Sequence, residues 1–117
     1  MKKLFSFLLL FLLSFSSQSA PLTYKQYFEY PSKYGEYLKG FEQGLTLSQV
    51  MTEHRDLGEK LYCAPLNIDF SIKNLEIVIQ SHVNKLLESG KRTQEEINNQ
   101  PLGALLVIGL EDLFPCD

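Results

Sequence analysis

Residues 71–90 read SIKNLEIVIQSHVNKLLESG, and this stretch decides the fold. Ile72, Leu75, Ile79, Val83 and Leu86 recur at spacings of three and four, the period of one helical face. Val78, His82 and Leu87 flank that stripe and widen it. Ser71 has the side chain an N-cap needs, and Gly90 stands where a helix end turns left-handed. Lys85 lies in the last turns, where a cation suits the helix dipole. A helix with so broad an apolar face is stable only when other elements cover it.

The flanking segments supply helices for that role. LTYKQYFEYPS, 22–32, predicts a short first helix capped by Thr23, with Tyr24, Tyr27 and Phe28 on one face, ending at Pro31. SKYGEYLKGFEQGLTLSQVMTEHRD, 32–56, predicts a long second helix with Ser32 as its cap and a core stripe of Tyr34, Tyr37, Leu38, Phe41, Leu45 and Met51. Beside that stripe Gly40, Gly44 and Ser48 stand four apart, which predicts close approach of another backbone. LNIDFSI, 66–72, alternates like a strand, yet no second run could pair with it. The expectation is an extended segment with its apolar side laid on the helices. In KRTQEEINNQ, 91–100, Thr93 and Glu96 form a capping-box pattern for a single turn. QPLGALLVIGLEDLFP, 100–115, predicts the last helix, with Pro101 at its first position and Leu102, Leu105, Leu106, Gly109, Leu110 and Leu113 on one face. Val107 and Ile108 widen that face, so this helix is central or meets a second subunit. The expected architecture is an all-α, single-domain bundle of about four helices.

The N-terminus reads as an export signal. Lys2 and Lys3 precede an apolar run from Leu4 to Phe15, and small residues follow in SSQSAP. The run is short for a membrane span. Cleavage after Ser19 places Ser17 and Ser19 at the small-residue positions; cleavage after Ala20 is the alternative, as is an uncleaved anchor. The expected organisation is residues 1–19 as signal peptide and 20–117 as one domain in the periplasm. Loss of Lys2 and Lys3 takes the formal charge from −3 to −5. There is no basic run, which argues against a nucleic-acid partner. No later apolar run reaches about 18 residues, so no membrane segment is expected after signal cleavage.

Two cysteines in an exported chain imply one disulfide, Cys63 to Cys116, closing a loop of about 53 residues. Two free thiols or a metal pair are the alternatives, although His54 and His82 lack metal-ligand spacing from either cysteine. No nucleophile elbow, phosphate loop or metal cluster is present in the sequence, and no cofactor is expected. A Cys63–His82 or Cys63–His54 nucleophile pair would need a free thiol. His82 is expected to be packed or half-exposed, and His54 in solvent. Glu42, Glu53, Asp56 and Glu59 cluster around one helix end, the pattern of a solvated face more than of a two-carboxylate hydrolase. The tyrosines crowd into Tyr24–Tyr37, where some could anchor an interface. These features describe a non-enzymatic binding domain.

YLKGFEQGL (37–45), LYCAP (61–65), FSIKNLEIVI (70–79) and PLGALLVIGLEDLFPC (101–116), in this order, resemble the Tai/Rap immunity proteins of type VI secretion systems. The likeness runs from about Thr23 to Cys116 and is most specific at Cys63-Ala64-Pro65 and Phe114-Pro115-Cys116. It implies an all-α periplasmic domain, often a homodimer, that blocks the active-site cleft of a peptidoglycan amidase effector and so protects the producing cell and its sisters. It also places the family's two cysteines on Cys63 and Cys116. Contact residues do not transfer by resemblance. Protrusion and charge point instead to two polar segments: Glu53, Asp56 and Glu59 in one, Lys91, Arg92, Glu95 and Glu96 in the other. An acid-stress chaperone of the periplasm, or another small exported helical binding protein, fits the same composition.

Overall fold

The structure, a computed structural model, describes residues 21–56, 58–65, 68 and 70–117. The expected signal peptide, Leu66 and the polar positions 67 and 69 lie outside the described residues. Among the described residues five helices follow in order: α1 Tyr24–Glu29, α2 Pro31–Arg55, α3 Ile72–Glu88, α4 Gln94–Asn98 and α5 Leu102–Leu113. Among the described residues no strand forms. A single antiparallel bridge joins Thr23 to Pro101, where Tyr24 N–H donates to the Gln100 carbonyl at 3.0 Å and Leu102 N–H to the Leu22 carbonyl at 2.8 Å.

α3 and α5 form the centre. Leu75, Ile79 and Val83 of α3 meet Leu102, Leu106 and Leu110 of α5, with Leu38 of α2, Tyr27 of α1 and Ile97 of α4 closing the core. Burying each of these side chains contributes about 1.5–3 kcal/mol of transfer free energy. Burial pushes the Tyr27 hydroxyl up to about 12, with the Glu76 carboxylate adding to the shift. Ser71 caps α3 by accepting from Asn74 N–H at 3.2 Å. Gly90, with φ 70°, turns the chain off its end. Thr23 caps α1 and Thr93 caps α4, each in a reciprocal capping box.

Several expectations are corrected. Pro31 does not simply end α1. Tyr30 serves both as its C-cap and as the N-cap of α2, and Pro31 takes the first helical position of α2, so Ser32 is not the cap. Pro101 stands one place earlier than expected, as the N-cap of α5. Tyr37 and Met51 are exposed, because α2 turns Leu38 and Glu42 inward and these two fall away from that line. Gly40 and Gly44 do not meet another backbone: a Cβ at either would find open space. Close approach occurs instead at Gly103, under the Phe41 ring, and at Gly109, against Val78. Leu113 is 44% exposed rather than buried. In the 66–72 segment Phe70 packs on the core, edge-on to Phe114 with ring centroids 6.0 Å apart, whereas Ile68 is exposed.

The expected bridge is present: Cys63 and Cys116 form a disulfide, and no free cysteine remains. Beside it, Cys63 N–H donates to the Phe114 carbonyl at 2.7 Å. Two further bonds tie Tyr62 and Phe70 to α2. Tyr62 N–H donates to Gln49 Oε1 at 3.1 Å, and Lys39 Nζ donates to the Phe70 carbonyl. These bonds, with the disulfide, set the distance between α2 and these residues, and a cleft opens between them.

Candidate binding cleft

Glu42, Thr46, Gln49 and Glu53 recur along α2 at spacings of four, three and four, a polar ridge on one helical face. Lys60, Tyr62 to Pro65, Ile68 and Phe70 face this ridge and line with it a cleft of about 230 Å³. Val50, Ala64, Pro65 and Phe70 supply apolar wall. The rim carries an ion pair, Lys60 Nζ to Glu53 Oε2 at 2.9 Å.

The cleft contains a buried charge. Glu42 is only 5% exposed, which corrects the reading of that carboxylate as part of a solvated face. An isolated buried carboxylate is unstable, and two partners meet the need here. Lys39 Nζ stands 3.2 Å from Oε2, and Thr46 Oγ1 donates to Oε1 at 2.9 Å. Tyr62, 2% exposed, brings its hydroxyl close to Thr46 and Glu42 but outside hydrogen-bonding geometry with either. Burial pushes that hydroxyl above its ordinary pKa. The Thr46 side chain opposes the rise and the Glu42 carboxylate adds to it.

Of the residues expected to touch a partner, Glu53 lines the cleft. Asp56 ends α2 in the left-handed conformation, φ 52°, and Glu59 beyond it is exposed. Lys91, Arg92, Glu95 and Glu96 lie on the other polar segment and do not line the cleft. There Glu96 is committed to the cap of α4, and Arg92 Nη1 stands 3.6 Å from its carboxylate. Tyr62 and Thr46 were not singled out from sequence. The ridge spacing on α2 could have found Thr46, but nothing local marks Tyr62. His82 is buried, as expected, with Nδ1 3.0 Å from Asp112 Oδ2; His54 is exposed. The disulfide leaves no thiol for a Cys–His pair. Among the described residues no cluster of His, Cys, Asp and Glu could hold a metal ion, and no helix is long and apolar enough to cross a membrane.

No protein-family model matches this chain, and no curated protein or solved structure matches it either.

Beyond Glu42, α2 buries no residue fully. Its distal half presents Leu47, 63% exposed, and Val50, 54% exposed. The arrangement therefore combines a rigid, bridged scaffold, a small amphipathic cleft and an apolar helix surface beside it.

Proposed function

We propose that this protein is a periplasmic immunity protein that binds and inhibits a peptidoglycan amidase delivered by a type VI secretion system. One observation carries the reading. The two elements on which the resemblance is most specific, Cys63-Ala64-Pro65 and Phe114-Pro115-Cys116, are joined by a disulfide and a 2.7 Å backbone bond. They form a single braced structure at the cleft. An inhibitor needs such bracing, because ordering a loose loop on binding subtracts from affinity. Glu53, in the last turn of α2, and the exposed acidic residues Asp56 and Glu59 beyond it would approach the amidase cleft.

Co-purification, binding and activity assays with candidate amidases exported by the same organism, together with a killing assay on a deletion strain, test the proposal. The expected result is tight binding, loss of amidase activity and sensitivity of the deletion strain. Full protection of a strain lacking the gene, with no binding, would sink it.

The homodimer belongs to the same proposal. Tyr37, Gly40, Gly44, Leu47, Ser48 and Met51 fall on one side of α2, away from Leu38, and all are exposed. Small residues between large apolar ones permit two such helices to cross closely. Sedimentation of the protein and of Gly44→Leu should show a dimer that the substitution disrupts. The exposed apolar face also supports a second reading, an acid-stress chaperone. That reading requires the protein to suppress light scattering by an unfolding client at about pH 2–3, where groups that titrate near neutrality are all protonated.

A further inference from the structure

The bridge lies where a second thiol can reach it. Cys63 and Cys116 are both exposed, as are Pro115 and Asp117 on either side of Cys116. Exposed disulfides are the labile ones, because exchange requires a thiolate to reach one of the sulfurs.

What the bridge holds is local. Neither cysteine belongs to the core, whose centre α3 and α5 build from Leu75, Ile79, Val83, Leu102, Leu106 and Leu110. Tyr62 has its own anchors: it is 2% exposed, and its N–H donates to Gln49 Oε1 at 3.1 Å. The next three residues line the cleft, Cys63 and Pro65 exposed and Ala64 half-buried. Cys63 is tied to the chain beyond α5 by the bridge and by its N–H to the Phe114 carbonyl. With the bridge open, that backbone bond, made by an exposed residue, competes with water for its partners.

We propose that the Cys63–Cys116 bridge is a redox latch on the cleft. A dithiol reductant of the Cys-x-x-Cys class opens it in the folded protein, and the wall from Cys63 to Pro65 comes free while the helices stay packed. A thiolate of the reductant attacks Cys116 Sγ, because both chain neighbours of Cys116 are exposed whereas Cys63 follows the buried Tyr62. A mixed disulfide forms on Cys116, the Cys63–Cys116 bond breaks, and Cys63 leaves as a thiolate and takes up a proton. The reductant's second thiolate then displaces Cys116 and closes the reductant's own disulfide. Two electrons and two protons pass from the dithiol to the two cysteines. The latch is a property of this chain's own bridge and does not rest on the immunity reading.

The test uses isotope-labelled oxidised protein and an excess of a Cys-x-x-Cys dithiol protein, without denaturant. The dithiol should reduce the bridge completely. Backbone order parameters at Cys63 and Ala64 should then fall from about 0.85 to below about 0.6, while those of α3 and α5 stay at about 0.85. Reoxidation should restore the starting values. The double variant Cys63→Ser with Cys116→Ser should show the reduced pattern with no reductant present. A dithiol variant whose second cysteine is replaced by serine should be trapped on Cys116, as read by peptide mass mapping. The latch is overturned if the bridge survives the dithiol until denaturant is added, if reduction or the double variant unfolds α3 and α5, or if Cys63 and Ala64 stay as ordered as before. A bond trapped on Cys63 would overturn the order of attack.

Discussion

At Gly109 a Cβ would stand 2.9 Å from Val78 Cγ1 and 3.0 Å from the Val78 carbonyl oxygen. The second contact is with backbone, which cannot swing aside as a side-chain tip can. Gly109→Ala is therefore expected to destabilise the protein by about 1–3 kcal/mol, despite a gain of up to about 1 kcal/mol in helix propensity. Gly44 meets nothing within 4 Å. Within one protomer the propensity gain stands alone, and at concentrations where the protein is monomeric Gly44→Ala should stabilise the folded chain by about 0.5–1 kcal/mol. Chemical denaturation of the two variants should give shifts of opposite sign. Both are glycines in a helix interior with apolar neighbours one and three residues away, and their immediate flanks do not show which one is crowded. The difference is whether α3 lies across the helix at that point.

The helices differ in how much of them could be read in advance. α3 is legible throughout, because a cap, a strong period and a terminal glycine all agree. α4 is legible from four residues. Thr93 N–H donates to Glu96 Oε1 at 3.1 Å, and Thr93 Oγ1 accepts from Glu96 N–H at 3.2 Å. The Thr93 backbone N–H, followed by its hydroxyl, holds the Glu96 carboxyl below the usual carboxylate range. A depressed folded-state value means that the cap stabilises α4 at neutral pH and is lost as pH falls through that value. Amide protection in 94–98, taken relative to α3, should hold at pH 6 and fall below about pH 4. Glu96→Gln should abolish that pH dependence, since a carboxamide does not titrate. α2 was the least legible. Its composition shows weak contrast between faces, so periodicity alone could not decide that Glu42 turns inward while Tyr37 and Met51 turn out. Lys39 and Thr46 make the inward carboxylate tolerable by meeting both of its oxygens.

For the whole molecule the bridge has the largest predicted effect. Cys63 and Cys116 are separated by 53 residues. A loop of that size restricts the unfolded chain enough that Cys116→Ser should lower stability by about 2–5 kcal/mol. A domain of this size has only about 5–15 kcal/mol in total. A thermal melt and limited proteolysis would read the loss, and an unchanged melting temperature would falsify the stabilising role. The same substitution releases one attachment of the cleft wall, leaving the Tyr62–Gln49 and Lys39–Phe70 bonds to position it.

The helical class and the caps of α1, α3 and α4 follow from local residues alone, and the two cysteines left one intramolecular pairing to expect, which the structure bears out. Capping and periodicity act within a few residues, and two cysteines in one chain admit a single intramolecular bond. Only the tertiary structure decided which side of α2 faces the core, why Glu42 is buried, and that Tyr62 closes the floor of a cleft rimmed by Glu53. Those outcomes depend on distances between segments far apart in the chain. Tyr62 and Cys63 carry no local signal of where they sit and take their place from Gln49 of α2 and from the disulfide to the end of α5.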